Sequence, residues 1–444
     1  MENTICAIST PIGNGGISIV RVSGKNSLEV CQKITNRDLT KFEPRKLYLT
    51  KINSKHFNDM ALVVYFKSPN SYTGEDMVEI QCHGGIQIAK GILDSLISSG
   101  ATLATAGEFS KRAFLNGKMS LEKAEGVIDM INAESEAGVK AGFNLLSGKL
   151  FEKINSLQSY LTDCLAEMEV ILDYPEEDID YVNNDKILNN LNKAVFETDE
   201  LLKTCSTGKL IKNGIDVLIL GRPNVGKSSL LNALLGYDRA IVTNVAGTTR
   251  DTVEESYNYE GLTFNVIDTA GIRESENLVE SIGIKKAEEG INKADIILVV
   301  LDESEKLTKE DEKILELTKD KKVIFVLNKS DLPVKINKKF DNFIEISALN
   351  MQNILNLKKM IYETVVDRNL INSQVLITNS RHEIALINAK NSILNAIKDL
   401  NKNQSLDLII MQVKDAWNSL GEITGETNNE EIINTIFSKF CLGK

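Results

Sequence analysis

The residues Gly221-Arg222-Pro223-Asn224-Val225-Gly226-Lys227-Ser228 directly follow the apolar run Ile215–Leu220 and lead into a helical pattern over Ser229–Leu235. The spacing G-x-x-x-x-G-K-S between a strand and a helix suits phosphate, because successive backbone N–H groups and a helix N-terminus surround its oxygens. Lys227 adds a point charge toward the β- and γ-phosphates, and the Ser228 hydroxyl suits Mg²⁺. A second apolar run, Phe264–Asp268, ends in Asp268-Thr269-Ala270-Gly271. There a carboxylate can hold the Mg²⁺ shell and a glycine backbone can approach a γ-phosphate. A third, Val323–Leu327, runs into Asn328-Lys329-Ser330-Asp331. A carboxylate at Asp331 matches the N1–H and exocyclic amine of guanine. Adenine offers neither donor, so such a site rejects it strongly. Ser347-Ala348, after Phe343–Ile346, completes a base pocket. Together the four ordered motifs imply GTP rather than ATP as ligand. Where many GTPases place a water-orienting Gln after D-T-A-G, this chain has Ile272. Another group must serve, and Arg250 and Arg273 read as solvated loop charges.

These motifs need a scaffold. Over 214–370 strands and helices alternate, with Ile296–Leu301 as a further buried strand, and this predicts an α/β P-loop G domain. On both sides of it the pattern is helical. Ile154, Leu157, Leu161, Leu165, Met168 and Leu172 recur at three- and four-residue steps, and Leu188, Leu191, Val195 and Leu202 form a second face beyond Pro175. Beyond the G domain, Ile384, Ile387, Ile393, Leu394, Ile397 and Leu400 mark another helix, and Leu406–Leu420 one more. An isolated amphipathic stripe cannot bury itself. The expectation is therefore one discontinuous α-helical domain, its parts at 119–213 and 371–444, with the G domain inserted. Residues 1–118 mix β-like runs (Ile17–Val22, Met60–Phe66), Gly-rich turns and a helix at Ile86–Ser98, which reads as an α+β domain.

Bulk properties narrow the class. The chain has 444 residues, 42 % of them apolar, and a net charge of −11. An acidic chain is a poor stand-alone ligand for nucleic-acid backbones, so any such role needs a local basic surface or a partner. The six cysteines lack CxxC or zinc spacing, and no apolar run approaches ~18 residues. With no signal-like N-terminus, a cytoplasmic location is expected.

The P-loop, the segment Ala240-Ile241-Val242-Thr243-Asn244-Val245-Ala246-Gly247-Thr248-Thr249-Arg250-Asp251, D-T-A-G and the tail Phe440-Cys441-Leu442-Gly443-Lys444 together resemble the MnmE (TrmE) family of tRNA modification GTPases. The resemblance spans essentially the whole chain, with Leu442 in the tail where Ile is usual. It implies a K⁺-dependent GTPase. GTP would be contacted by Asn224, Val225, Gly226, Lys227, Ser228, Ser229, by Thr243, Asn244, Val245, Ala246, Gly247, Thr248, Thr249, by Asp268, Thr269, Ala270, Gly271, and by Asn328, Lys329, Asp331, Ser347 and Ala348. Ser228 and Thr249 would ligate Mg²⁺; Asn224, Thr243, Val245 and Thr248 would hold K⁺; and Glu280 would orient water. The N-terminal domain would be a dimerising module for a tetrahydrofolate one-carbon donor of 5-formyl or methylene type, with Arg21, Glu79, Lys118 and Lys444 at the ligand. Cys441 would reach that pocket, whereas His83 reads as a structural histidine in a turn. A homodimer, working with an FAD-dependent partner of the MnmG (GidA) family, would add a carboxymethylaminomethyl-type group to C5 of the wobble uridine of certain tRNAs.

Two other functions compete. One is a ribosome-assembly or RNA-chaperone GTPase, although neither a second P-loop nor a K-homology-type loop follows. The other is a lipid-binding GTPase, against which the acidic outer faces of the helices argue.

Overall fold

The computed structural model of the protein describes residues 3–173, 184–236, 255–268, 289–367, 370, 373–427 and 430–444. It divides into two compact units. One comprises Met1–Ile128, Leu145–Val195 and Asn388–Lys444, the other Asp129–Asn144 and Phe196–Ile387.

The first unit holds a six-stranded sheet of β1 (Ile5–Ile8), β2 (Ile17–Ser23), β3 (Tyr48–Asn53), β4 (Asn58–Phe66), β5 (Met77–His83) and β6 (Thr102–Leu103), in the order β3-β4-β5-β2-β1-β6. Side chains alternate across the pleat. Val20, Val22, Ala61, Val63, Val78 and Ile80 point to the face covered by helices Ser27–Gln32 and Ile86–Ser98, and they form its core with Ile92 and Leu96. Arg21 and Glu79 fall on the opposite face, beside exposed Ile17 and Leu62.

Helix Lys149–Asp173 packs along Leu406–Thr424, from the far end of the chain, with Gln158 donating to the Trp417 carbonyl at 3.4 Å and Lys414 paired with Glu169 at 2.9 Å. The stripe that could not bury itself finds its cover there, and the helical domain is discontinuous as expected. Which residues face inward differs in detail. Ile154, Leu157, Leu161 and Met168 are fully buried, but Leu172 is 41 % exposed. In helix Asn184–Lys203 the buried stripe is Ile187, Leu191, Ala194 and Leu201, one residue earlier than expected for three of its four members, while Leu188, Val195 and Leu202 are half-buried. In helix Ser380–Asn401 Ile384, Ile387 and Leu394 are exposed, and Ala385, Leu386, Ala389, Ile393 and Ala396 face in. Small alanines let neighbouring backbones approach, so they take the buried positions and push larger residues to the margin.

Where the first domain meets its helices, Glu122 is fully buried at the start of helix Leu121–Asn132, with Ser120 on one carboxylate oxygen and the other unpartnered. Burial raises its pKa to about 7, against the Ser120 hydrogen bond and Lys123. A carboxyl whose pKa is raised by folding contributes full stability below its unfolded value and loses it as pH rises toward 7. Glu122→Gln is therefore expected to match the wild type near pH 4 and to be more stable at pH 8, by about 2–3 kcal/mol. Denaturant melts at the two pH values check this; equal stability at pH 8 would refute it.

The second unit contains β7 (Ile215–Leu220), β8 (Glu255–Tyr259), β9 (Leu262–Asp268), β10 (Ile296–Asp302), β11 (Val323–Asn328) and β12 (Phe343–Ile346), in the order β12-β11-β10-β7-β9-β8. All neighbours are parallel except β8, which closes a hairpin with β9. Central β7 and β10 are almost continuously apolar because both faces of a parallel sheet are covered. The strand order reverses at β7, the switch point at whose carboxyl end ligands bind in open α/β sheets.

Candidate functional site

The expected nucleotide motifs converge at that carboxyl edge. The P-loop leaves β7, Asn328-Lys329-Ser330-Asp331 leaves β11, and Ser347-Ala348 leaves β12. Gly226, with φ of 97°, caps helix Lys227–Leu235, and Asn224 also lies in the left-handed region at φ of 64°. Lys227 Nζ donates to the Gly221 and Arg222 carbonyls at 3.0 Å each, which arches its stem over the loop. Ser228 and Ser229 are exposed, whereas Val225 is fully buried and anchors the loop.

Asn328 fastens the loops together. Its Nδ2 donates to the Val225 carbonyl at 2.8 Å, and its Oδ1 accepts from the Ala348 N–H at 3.0 Å. Asn328, Ser347 and Ala348 are buried and Asp331 is exposed, free to meet a base edge. Gly226 is pressed so closely to Asn328 that a Cβ there would lie 2.3 Å from Nδ2. A loop this tightly backed, with a lysine arched over it at a helix N-terminus, suits a phosphate chain. Asp268 is described in its backbone, paired with Ile219 of β7. Thr243, Asn244, Val245, Ala246, Gly247, Thr248, Thr249, Thr269, Ala270, Gly271 and Glu280 lie outside the described residues, as do Arg250, Ile272 and Arg273.

A second constellation forms in the first unit. Arg21 on β2 and Glu79 on β5 are cross-strand partners, with guanidinium Nε and Nη2 each 2.9 Å from Glu79 Oε1. Arg21 also lies over the rings of Tyr72 and Phe109, at 5.4 and 5.6 Å from their centroids. The C-terminal tail arrives here from more than four hundred residues away. The Gly443 carbonyl accepts from Ser9 Oγ at 3.1 Å and Arg21 Nη1 at 3.4 Å. Gly443 has φ of 87°, and a Cβ there would lie 2.3 Å from the Ile8 carbonyl, so only glycine fits. Burial and the Arg21 charge both lower the pKa of Lys444. The Lys444 ammonium thus feels the Arg21 charge even though Arg21 is paired with Glu79. Glu79 and Lys118 line a cleft of about 420 Å³ together with Arg45 and Tyr72. Arg21, however, is already engaged by Glu79, so a ligand carboxylate would compete with that pair. Sequence reading missed Ser9, Arg45 and Tyr72, which carry no local signature. Cys441 is exposed, and His83 is a surface residue with Nδ1 2.6 Å from Asp59.

Comparison with known proteins covers the whole chain. A family profile described as the GTP-binding protein TrmE N-terminus matches residues 4–118, and one described as the MnmE helical domain matches 121–441. Proteins named tRNA modification GTPase MnmE from Clostridioides difficile and Carboxydothermus hydrogenoformans are 41 % and 42 % identical to this chain. Each comparison covers 100 % of both sequences. The chain belongs to the MnmE family of tRNA modification GTPases. As an MnmE-family protein it is a GTP hydrolase of tRNA modification, which decides against the ribosome-assembly and lipid-binding readings. No helix among the described residues is long and apolar enough to cross a membrane. The MnmE fold of N-terminal α+β domain, discontinuous helical domain and inserted G domain is the one seen here.

Proposed function

We propose that the protein is a K⁺-dependent switch GTPase that, with an FAD-dependent partner of the MnmG family, installs a carboxymethylaminomethyl-type group on C5 of the tRNA wobble uridine. The observation that carries the G-domain part is the Asn328 bridge, which ties the P-loop to Ala348 in one rigid pocket. Lys227 and the loop N–H groups hold the phosphates, Asp331 reads guanine, and Ser228 with Thr249 ligates Mg²⁺ beside Asp268. Asn224, Thr243, Val245 and Thr248 hold K⁺, whose charge offsets that developing on the phosphates. Glu280 orients the attacking water in place of Ile272. The exposure of Asn224, at a left-handed position of the loop, supports this reading, since its amide is accessible to a cation. Replacing K⁺ by Na⁺ is expected to slow GTP hydrolysis by at least about tenfold, and Asn224→Ala to lose that difference. Equal rates in the two salts would remove K⁺ from the mechanism.

The one-carbon donor, a tetrahydrofolate, belongs in the cleft of the N-terminal domain. Glu79 accepts from its pterin edge, and Lys118, Lys444 and Arg21 face its carboxylates. The hydrogen bond from Arg21 to the Gly443 carbonyl, which brings the residue before Lys444 to β2, supports an anionic ligand there. Exposed Ile17, Leu49, Met60 and Leu62, all on strand faces turned away from the core, support pairing of two N-terminal domains as a homodimer. Mass spectrometry of tRNA nucleosides tests the whole reading. Cells lacking the gene should lose the C5-modified wobble uridines while keeping other modifications, and an unchanged profile would refute it.

A further inference from the structure

One short acidic segment, Asp302–Asp311, touches both nucleotide loops, and no motif accounts for it. Asp302 ends β10 directly beside Asn328 of β11 and is buried. Its Oδ1 accepts from the Ser304 N–H at 3.0 Å and from Ser304 Oγ at 2.7 Å, and its Oδ2 meets Lys329 Nζ at 2.5 Å. Lys329 is a non-glycine residue at φ of 67°, and its carbonyl accepts from the Leu332 N–H at 2.9 Å, closing the turn that contains Asp331. Such a backbone persists only where its surroundings hold it. Ser330 N–H donating to the Ile346 carbonyl holds the middle of the turn, and the Asp302 ion pair holds its start.

Farther along the segment, Glu305 and Asp311 both pair with Arg222, the latter at 3.3 Å from Nε. The Arg222 carbonyl in turn accepts from Lys227 Nζ. Asp311 is itself fixed as half of a capping box with Thr308 on helix Lys309–Leu317.

We propose that Asp302 is a positioning residue for guanine recognition: anchored by Ser304, it grips Lys329 and so fixes the turn that aims Asp331 at the base. The inference rests on Asp331 as the guanine-reading carboxylate. Burial opposes ionisation of Asp302, yet the Lys329 and Ser304 hydrogen bonds prevail and keep its pKa below the usual carboxylate range. A charged latch is therefore present at neutral pH.

The readout is the ratio of GDP to IDP affinity, because IDP lacks only the exocyclic amine. In the intact protein the wild type should bind GDP far more tightly than IDP. Asp302→Ala should cut that preference by about tenfold, mainly through weaker GDP binding, and Asp302→Asn, which keeps an acceptor for Lys329, by less. Ser304→Ala, a milder change, should lower the ratio about threefold even if Asp302→Ala fails to fold. Folded variants that weaken GDP and IDP equally, or leave both unchanged, would overturn the positioning role. A wild type that binds IDP as well as GDP would overturn the assignment of Asp331 itself, and the latch with it.

Discussion

Gly226→Ala is expected to weaken GDP binding by at least about a hundredfold while the protein stays folded. Two effects add at this position. The backbone φ of 97° is one that L side chains rarely adopt, and the new Cβ would lie 2.3 Å from Asn328 Nδ2. Asn328 cannot simply step aside, because the same amide group donates to Val225 and accepts from Ala348. Moving it leaves a buried carbonyl and a buried N–H without partners, at about 1–3 kcal/mol each. The damage therefore reaches the phosphate loop and the base pocket together. Titration with a fluorescent GDP analogue measures it, and an affinity within threefold of wild type would show that the cradle does not depend on this close approach.

The largest effect on stability is expected from Arg112→Met in the N-terminal domain. The Arg112 side chain is almost completely buried in helix Glu108–Leu115, and its guanidinium meets Glu75 at 3.1 Å, Glu108 at 2.8 Å and the Asn3 carbonyl at 2.9 Å. Ser23 also donates to Glu75. Methionine fills much of the volume but leaves two carboxylates facing each other without a cation. Breaking a buried ion pair from one side costs about 3–5 kcal/mol. The pH dependence carries its own signature. Burial would raise the Glu108 pKa, but the hydrogen bonds from Thr105 and Arg112 outweigh it and hold it below its ordinary value. In the wild type that carboxylate contributes stability above its unfolded pKa and loses it as pH falls. In Arg112→Met the destabilisation should shrink on acidification, since a protonated Glu108 needs no cation. Urea melts at pH 7 and pH 4 decide it: a loss below 1 kcal/mol at pH 7, or one that grows toward pH 4, would contradict the account.

Much of the G domain was legible because its chemistry is contiguous. A phosphate loop is bound by its own backbone, so Gly221–Ser228 must follow a strand and open a helix, and the expected strand Ile215–Leu220 occurs unchanged. The helix at Ile86–Ser98 was equally plain, its turns marked by apolar residues on one face. Helix faces were less legible. Counting large apolar residues placed Leu188, Val195 and Leu202 inward, yet Ile187, Ala194 and Leu201 are the buried ones. Periodicity fixes the width of a stripe to about one residue, while the partner helix selects which side of it is covered.

The nucleotide motifs, the elements that carry them and the need for two separated helical stretches to share a core can all be read from the residues in order. Those follow from short-range rules of spacing, turn chemistry and apolar period. That Arg21 pairs with Glu79 and also meets the Gly443 carbonyl, and that Asp302 grips Lys329, emerges from the folded chain alone. The Arg21–Glu79 and Asp302–Lys329 contacts join segments set side by side by strand order and register, and the Gly443 contact joins β2 to a tail more than four hundred residues away. A charged residue carries no local mark of the partner that topology will bring to it.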